Sequence, residues 1–196
     1  MVAGMGDAAA DPPDFETLYR QIQALPEGVT GEIIDPGVLR TMARPGKAHR
    51  RAHLQALDAL RGRNATLGGS GWWIEVEVEV RFGPRLMVPD LSGWRVERVP
   101  ELPDENPLSI VPDWCCEVLS PGGAGRVDRL KKLPRYLASG VAHVWLVDPA
   151  ARLVEVYVER DGAPLRAAAA GDAEVAALPP FEGQFDLAPW WLPTEE

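Results

Sequence analysis

The chain has little cysteine, and this limits the kinds of fold and the compartment that suit it. Its two cysteines are adjacent, at positions 115 and 116, and such a pair offers neither a disulfide framework nor zinc-ligand spacing. We expect both cysteines to act as small hydrophobic residues buried in a strand. This cysteine usage predicts a reducing compartment such as the bacterial cytoplasm.

Long apolar runs are also absent from the sequence. No stretch approaches the ~20 residues that a membrane span needs, so we expect no contact with a membrane. The first residues lack the basic and apolar regions of a signal peptide. We therefore predict a flexible N-terminal tail over residues 1–13 and a single domain over residues 14–196.

Basic residues are outnumbered by acidic residues, 20 against 29, which gives a net charge of -9. On its own this balance argues against nucleic acid as a partner, because affinity for phosphates comes from Lys and Arg. However, 12 of the 20 basic residues lie in two short segments, residues 40–63 and 126–135. An anionic partner is expected to meet the chain there, although each segment alone is also typical of a solvated helix face.

The spacing of apolar residues predicts helices over residues 14–25, 46–62 and 127–140, with Asp14 as the cap of the first helix. The turn Asp35-Pro36-Gly37 divides a predicted hairpin. Strands are predicted over residues 72–80, where apolar residues alternate with glutamates, from residue 85 to near Asp90, and over 112–120, 141–149 and 151–160. This order of elements indicates an α/β fold, with helices packed on a mixed sheet.

Two acidic residues are candidates for a catalytic centre. Asp90 follows a strand, and Glu117 lies inside an apolar run, where a charge needs a cation, a metal or a proton to compensate it. Two carboxylates on adjacent strands can share a divalent cation, and a lysine nearby can orient the attacking water. The alternatives are a turn acid at Asp90, a salt-bridged strand acid at Glu117, and a solvated Lys132 that pairs with Asp128 one helical turn away.

Four segments carry a resemblance to a known family: RPGKAH, PDLSGW, CCEVLSP and DRLKKLPRYLASGVAHVWLVDP. In this order they resemble the Uma-two family of bacterial restriction endonucleases, within the PD-(D/E)XK nuclease superfamily, over roughly residues 14–160. The resemblance implies a restriction-endonuclease-like mixed β-sheet core flanked by helices, and cleavage of DNA with Mg²⁺ or Mn²⁺. It implies Asp90 and Glu117 as metal ligands. Glu32, in GEIID, is similar to a further metal-binding acid of such nucleases.

The position of the catalytic lysine departs from the superfamily pattern, which places it two residues after the glutamate. Leu119 occupies that position here. The family pattern D-x-x-x-K-L-x-x-Y on the next helix matches Asp128, Lys132, Leu133 and Tyr136, so the resemblance implies Lys132 as the amine, with Lys131 as the second choice. Leu119 also leaves open the alternative of a catalytically inactive nuclease fold that acts as a binding or regulatory module.

Contacts to the DNA backbone are expected from basic and polar residues near the two basic segments. These candidates are Lys47, His49, Arg50, Arg126, Arg129 and Tyr136. His49 and His53 share a helix at a zinc-capable spacing, but the sequence around them is not HExxH, so we predict a surface or phosphate-facing role.

A homodimer is expected, since cutting both strands of a duplex suits a two-fold pair of chains. Four tryptophans are candidates either for the dimer interface or for the core. They are Trp72, Trp73, Trp190 and Trp191.

Overall fold

The computed structural model describes residues 11–42, 44–172 and 174–193. The predicted tail over residues 1–13 therefore lies outside the described residues, except for residues 11–13. The strands are β1 (Gly31–Asp35), β2 (Val38–Thr41), β3 (Trp72–Val76), β4 (Val80–Phe82), β5 (Arg85–Met87), β6 (Leu91–Arg95), β7 (Trp114–Val118), β8 (His143–Asp148), β9 (Leu153–Arg160), β10 (Ala163–Gly171), β11 (Val175–Ala176) and β12 (Phe185–Asp186).

Four α-helices accompany the strands. They are α1 (Phe15–Gln23), α2 (Lys47–Ala59), α3 (Gly123–Val127) and α4 (Leu133–Ala138). A π-helical turn, Asp128–Lys132, joins α3 to α4, and short 3₁₀ turns occur at Arg61–Arg63, Ala65–Leu67 and Ala188–Trp190. Among the helices of the described residues, none is long and apolar enough to cross a membrane.

The largest sheet has six strands in the order β10-β9-β8-β7-β6-β3. Its strands β7 and β8 are parallel, and the other neighbours are antiparallel. A second sheet has the order β2-β1-β5-β4, and β11 pairs with β12. The predicted α/β class, with a mixed sheet flanked by helices, is confirmed.

Apolar side chains fill both faces of the six-stranded sheet. On one face, Ala52 and Ala56 of α2 pack with the apolar residues of β7 and with the C-terminal aromatic residues. On the other face, α4 and the four-stranded sheet pack against alternate residues of the same strands. Glu117 is therefore on a central strand between two apolar layers.

The hairpin and the first helix cap occur where the sequence predicts them. The side chain of Asp14 accepts a hydrogen bond from the Thr17 N–H at 2.8 Å, which satisfies one of the free donors at the start of α1. β1 and β2 flank the turn at Asp35-Pro36-Gly37.

The predicted continuous strand over residues 72–80 is wrong, because the chain changes sheets within it. β3 ends at Val76 in the six-stranded sheet, and β4 begins at Val80 in the four-stranded sheet. Glu77 between them has a positive φ of 49°, and its N–H donates to the Asp90 carbonyl at 3.1 Å. An alternating pattern gives the period of a strand but not the sheet in which it pairs.

The spacing of apolar residues places Ala48, Ala52, Leu54, Leu57 and Leu60 on one side of α2, and this prediction is only partly correct. Leu54 is 64% exposed, whereas Ala52, Ala56 and Leu60 are buried. Small residues let the helix approach the sheet closely, and this stripe also carries His49 into the interior. The predicted helix over 127–140 begins earlier, at Gly123, and contains the π-helical turn just before Pro134, which has no N–H to donate to the preceding turn.

The tryptophans are part of the core. Trp72, Trp190 and Trp191 are buried, and Trp145 packs edge-on against Trp114 and other aromatic rings. Trp73 is half-buried and donates its indole N–H to the Val99 carbonyl at 2.8 Å. These side chains therefore do not provide an aromatic surface for a dimer.

Candidate active site

The register of two strands brings Asp90 and Glu117 together. β6 and β7 are antiparallel with Leu91 opposite Cys116, so Asp90, just before β6, lies opposite Glu117. The Val118 N–H donates to Asp90 Oδ2 at 2.6 Å, which fixes this carboxylate. Both acids line a cleft of about 430 Å³.

Lys132 lies directly beneath this pair. Its Nζ atom is 2.7 Å from Glu117 Oε1 and 2.9 Å from Glu32 Oε1, and the Lys132 side chain is 1% exposed. The π-helical turn directs this side chain toward the sheet. Asp128, at the start of that turn, is 3.9 Å from the same amine.

Glu32 and Tyr136 complete the surroundings of the amine. Glu32 on β1 is buried and accepts the Val88 N–H at 2.8 Å. The Tyr136 hydroxyl on α4 donates to Glu117 Oε1 at 2.5 Å. We call Glu32, Asp90, Glu117 and Asp128 the acid cluster; all four line the cleft, and Lys132 is the buried amine among them.

The acid cluster holds more negative than positive charge. Burial raises the pKa of Glu117 well above its ordinary value, although Lys132 opposes this shift, and Asp128 raises it further. Burial also raises the pKa of Asp128 to about 6. Burial alone would lower the pKa of Lys132, but Glu117 and Glu32 outweigh it and raise that pKa well above its ordinary value. One amine therefore faces several acids.

His49 enters the site from the other side of Asp90. It is buried, with Nε2 3.2 Å from Asp90 Oδ1 and Nδ1 3.3 Å from Ser120 Oγ. Burial alone would lower the pKa of His49, but Asp90 outweighs it and raises it. Burial would raise the pKa of Asp90, but His49 outweighs it and lowers it. Burial lowers the pKa of the neighbouring His53.

His49 was thus expected at the surface or facing phosphate, and the structure places it inside. The sequence does hold a signal for this position. His49, Ala52 and Ala56 recur at a spacing of three and four residues, which puts the histidine on the buried stripe of α2.

Basic residues lie in the cleft and on the helix beside it, and together they are called the basic rim. Arg40 and Arg44 line the cleft itself, and the predicted contacts Lys47 and Arg50 are exposed in the first turn of α2. None of these four forms a salt bridge with an acidic residue in the part of the chain that the structure describes. Their charges are therefore available to an anion.

The remaining sequence candidates lie elsewhere. Lys131 pairs with Asp35 at 2.6 Å, not with the acid cluster. Arg126 and Arg129 line a separate depression, and Arg129 also pairs with Glu155 at 2.5 Å. Tyr136 is fully buried, so its hydroxyl serves Glu117 and does not face a phosphate, contrary to the expectation from sequence.

Acidic residues converge beside two interior strands of the mixed sheet, with a lysine next to them, and this arrangement is similar to that of restriction-endonuclease-like proteins. The sequence model of the Uma2 family, described as "Putative restriction endonuclease", matches residues 13–189. The chain belongs to this family. Nuclease-type function is therefore assigned at the level of the family.

A solved structure has the same fold. It is the crystal structure of a "putative nuclease belonging to DUF820" from Anabaena variabilis ATCC 29413, with 20% sequence identity and a TM-score of 0.68. The similarity covers 91% of this chain and 97% of that chain. No curated protein matches the chain.

Proposed function

We propose that this protein is a Mg²⁺- or Mn²⁺-dependent endonuclease that hydrolyses phosphodiester bonds of DNA. The observation that carries the proposal is that Asp90 and Glu117 meet at one cleft while Lys132, buried behind the cleft, contacts Glu117 with its amine. Family membership supports the same reaction class.

The carboxylate oxygens of the acid cluster are the kind of ligand that a hard divalent cation takes, but among the described residues no three of these acids bring ligand atoms within 4.8 Å of one another. Mg²⁺ and Mn²⁺ prefer carboxylate, carbonyl and water oxygens, and all four acids line the cleft. Burial is the main cause of the raised pKa values of Glu117 and Asp128, and repulsion from neighbouring acids raises them further. A cation among the four acids would relieve this repulsion. In the proposal, Asp90 and Glu117 are the main ligands, and Glu32 is a further one.

A divalent cation held by these acids would lower the pKa of a bound water and stabilise negative charge on the phosphate. Lys132 contacts Glu117 and Glu32 with its amine, and this geometry supports a role in positioning both carboxylates. Its expected action on the attacking water stays a prediction. Lys131 is the weaker candidate, because its amine pairs with Asp35.

Phosphate contacts are proposed for the basic rim. Lys47 and Arg50 are exposed on α2, whose His49 lines the cleft, and Arg40 and Arg44 line the cleft themselves, in a chain whose net charge is -9. A local cluster of unpaired cations on an acidic protein would draw a polyanion to this rim and away from the remaining surface. His49, Arg126, Arg129 and Tyr136 are poorer candidates, since each is buried, paired or outside this cleft.

A homodimer remains part of the proposal. Two chains related by a two-fold axis would present one cleft to each strand of a duplex. Light scattering on the purified chain, with and without duplex DNA, measures the number of chains directly.

The proposal is tested by incubating the purified chain with supercoiled plasmid, linear duplex DNA and single-stranded RNA. Mg²⁺, Mn²⁺ or a chelator is added to each. We expect cleavage of DNA with either cation and none with the chelator. Glu117→Gln and Asp90→Asn should each reduce the rate at least about 100-fold, since each removes a proposed ligand. Glu97→Gln is the matched control, because Glu97 is exposed and distant from the cleft.

Two outcomes would overturn the proposal. Undiminished cleavage by Glu117→Gln would show that the acid cluster does not take part in the reaction. Binding of DNA without any metal-dependent cleavage of DNA or RNA would favour the inactive binding or regulatory module that Leu119 left open. Cleavage of RNA alone would show that the substrate is RNA and not DNA, and the assignment of the catalytic centre would stand.

A further inference from the structure

Two imidazole nitrogens in the site have no hydrogen-bonding partner. They are Nε2 of His49 and Nε2 of His53, both inaccessible to solvent, and neither is satisfied by any group in the part of the chain that the structure describes. A buried polar atom without a partner costs free energy. Two such atoms from one helix, close to one carboxylate, require an explanation.

The two nitrogens and Asp90 lie at a spacing close to that of metal ligands. One ligand atom from each of His49, His53 and Asp90 lies within 4.8 Å of the others, and this is the only such group of three among the residues described. Ligand atoms about 2.1 Å from one ion lie up to about 4.2 Å apart, so small side-chain rotations suffice. Histidines four residues apart on a helix present their rings on the same side.

The surroundings of His49 orient its ring for this purpose. Its Nδ1 is 3.3 Å from Ser120 Oγ. In the tautomer that carries its proton on Nδ1, this nitrogen donates to Ser120, and the lone pair of Nε2 is free to bind an ion. A hydrogen bond to the second ring nitrogen of this kind is the usual support of a metal-binding histidine.

A simple imidazole–carboxylate pair explains only part of this arrangement. It accounts for the 3.2 Å between His49 Nε2 and Asp90 Oδ1, although that contact lacks hydrogen-bond geometry. It gives no partner to His53, whose Nε2 is equally buried. A shared ion would satisfy both nitrogens at once.

We infer that His49, His53 and Asp90 form a second divalent-metal site, with two nitrogen ligands, beside the all-oxygen acid cluster. Imidazole ligands suit Zn²⁺ and the other late first-row ions better than Mg²⁺. Asp90 belongs to both groups, so the two sites are neighbours that share one side chain. The second site does not depend on the proposed nuclease activity.

The direct test is pulsed electron paramagnetic resonance of Mn²⁺ added to the untagged full chain, which detects nitrogen nuclei bound to the ion. We expect coupling to imidazole ¹⁴N in the wild type. His49→Gln and His53→Gln should each remove or reduce this coupling, and calorimetry should show Zn²⁺ affinity falling at least about tenfold. His143→Gln is the matched control, since His143 is the remaining histidine of the chain and lies on β8.

Folding is checked separately, because His49 is buried and its replacement can unfold the chain. His53 is only partly buried, so the His53→Gln variant keeps the test decisive if His49→Gln does not fold. Wild-type Mn²⁺ without nitrogen coupling would overturn the inference, and so would coupling that both folded variants retain or that His143→Gln removes.

The outcomes also separate this inference from the proposed nuclease. Glu117→Gln should abolish cleavage and leave the nitrogen coupling intact. Nitrogen coupling in a wild-type chain that cleaves no nucleic acid would support the metal site and reject the nuclease proposal. Cleavage by a wild-type chain that shows no nitrogen coupling would support the nuclease proposal and reject the metal site.

Discussion

Lys132 Nζ lies 2.7 Å from Glu117 Oε1, although the lysine is in a helical connection and the glutamate is on a central strand. In the PD-(D/E)XK motif that the sequence resembles, the amine comes from the strand itself, two residues after the glutamate. In this chain Leu119 is in that position and is packed in the core. The amine therefore reaches the same carboxylate from a different element.

Replacing Lys132 with methionine is expected to destabilise the protein strongly. The change leaves Glu117 and Glu32 buried without their cation, and breaking a buried ion pair on one side costs about 3–5 kcal/mol of the free energy of unfolding. Urea denaturation at pH 7 measures this quantity. Lys131→Met is the control, since the pair of Lys131 with Asp35 is partly exposed and should cost less than about 1 kcal/mol. Equal losses of unfolding free energy in the two variants would contradict the role of Lys132 as the cation that compensates Glu117 and Glu32.

Moving the amine to the superfamily position should recover part of that loss. Cys115 and Leu119 pack in the same apolar layer, so alternation puts the side chains of residues 117 and 119 on one side of the strand. We expect Leu119→Lys and Lys132→Met to be favourably coupled by at least about 1 kcal/mol in a double-mutant cycle. The double variant would then be more stable than the sum of the single effects implies. Leu119→Met is the control for side-chain size. If the effects of Leu119→Lys and Lys132→Met on the free energy of unfolding simply add, a lysine at position 119 does not reach Glu117.

Removing one hydroxyl tests how Glu117 is held. Tyr136→Phe keeps the ring that packs against Phe82 at 5.4 Å but deletes the donor to Glu117. We expect a loss of about 1–2 kcal/mol in the free energy of unfolding and, if the proposed nuclease is correct, a higher Mg²⁺ concentration for half-maximal cleavage. Tyr157→Phe is the comparison, because that hydroxyl pairs with Glu155. An unchanged Mg²⁺ dependence in Tyr136→Phe would separate the hydroxyl from the metal ligand.

Glu155 should give the protein a measurable acid sensitivity. Burial would raise the pKa of Glu155, but hydrogen bonds from Arg129 and Arg166 outweigh it and lower the pKa below its ordinary value. A group whose pKa is lowered by folding stabilises the fold above the pKa that it has in the unfolded chain. That stabilisation disappears as the pH falls through the lowered pKa of the folded state.

The corresponding variant is Glu155→Gln. We expect it to be less stable than the wild type at pH 7 by about 1–2 kcal/mol, and this difference should shrink as the pH falls below about 4.5, the ordinary pKa of Glu. Urea denaturation of both proteins at pH 7, 5, 4 and 3 measures the change. A difference that stays constant across this range would mean that the charge of Glu155 is not the source.

Local patterns in the sequence were enough to single out the main site residues. A lone acid in an apolar run marked Glu117, and the family pattern marked Asp90 and Lys132. The structure brings all three together, while their catalytic roles stay predictions. These inferences were possible because each depended on the spacing of residues within one segment.

Relationships between distant segments were not accessible in the same way. The contact of Tyr136 with Glu117 and the position of His49 beside Asp90 depend on how two helices pack on opposite faces of one sheet. The change of sheet near Glu77 could not be predicted for a related reason. Apolar and polar residues alternate throughout residues 72–80, but the two ends of this stretch pair in different sheets. Periodicity describes a single element, and packing partners must come from tertiary structure.

The five residues of the π-helical turn, Asp128–Lys132, impose a constraint on length as well as on composition. Such a turn contains one residue more than the α-helical turn that it replaces. Deleting any one of these residues would swing the following side chains about 100° around the helix axis. This stretch should therefore accept many single replacements at its exposed positions, yet tolerate neither an insertion nor a deletion.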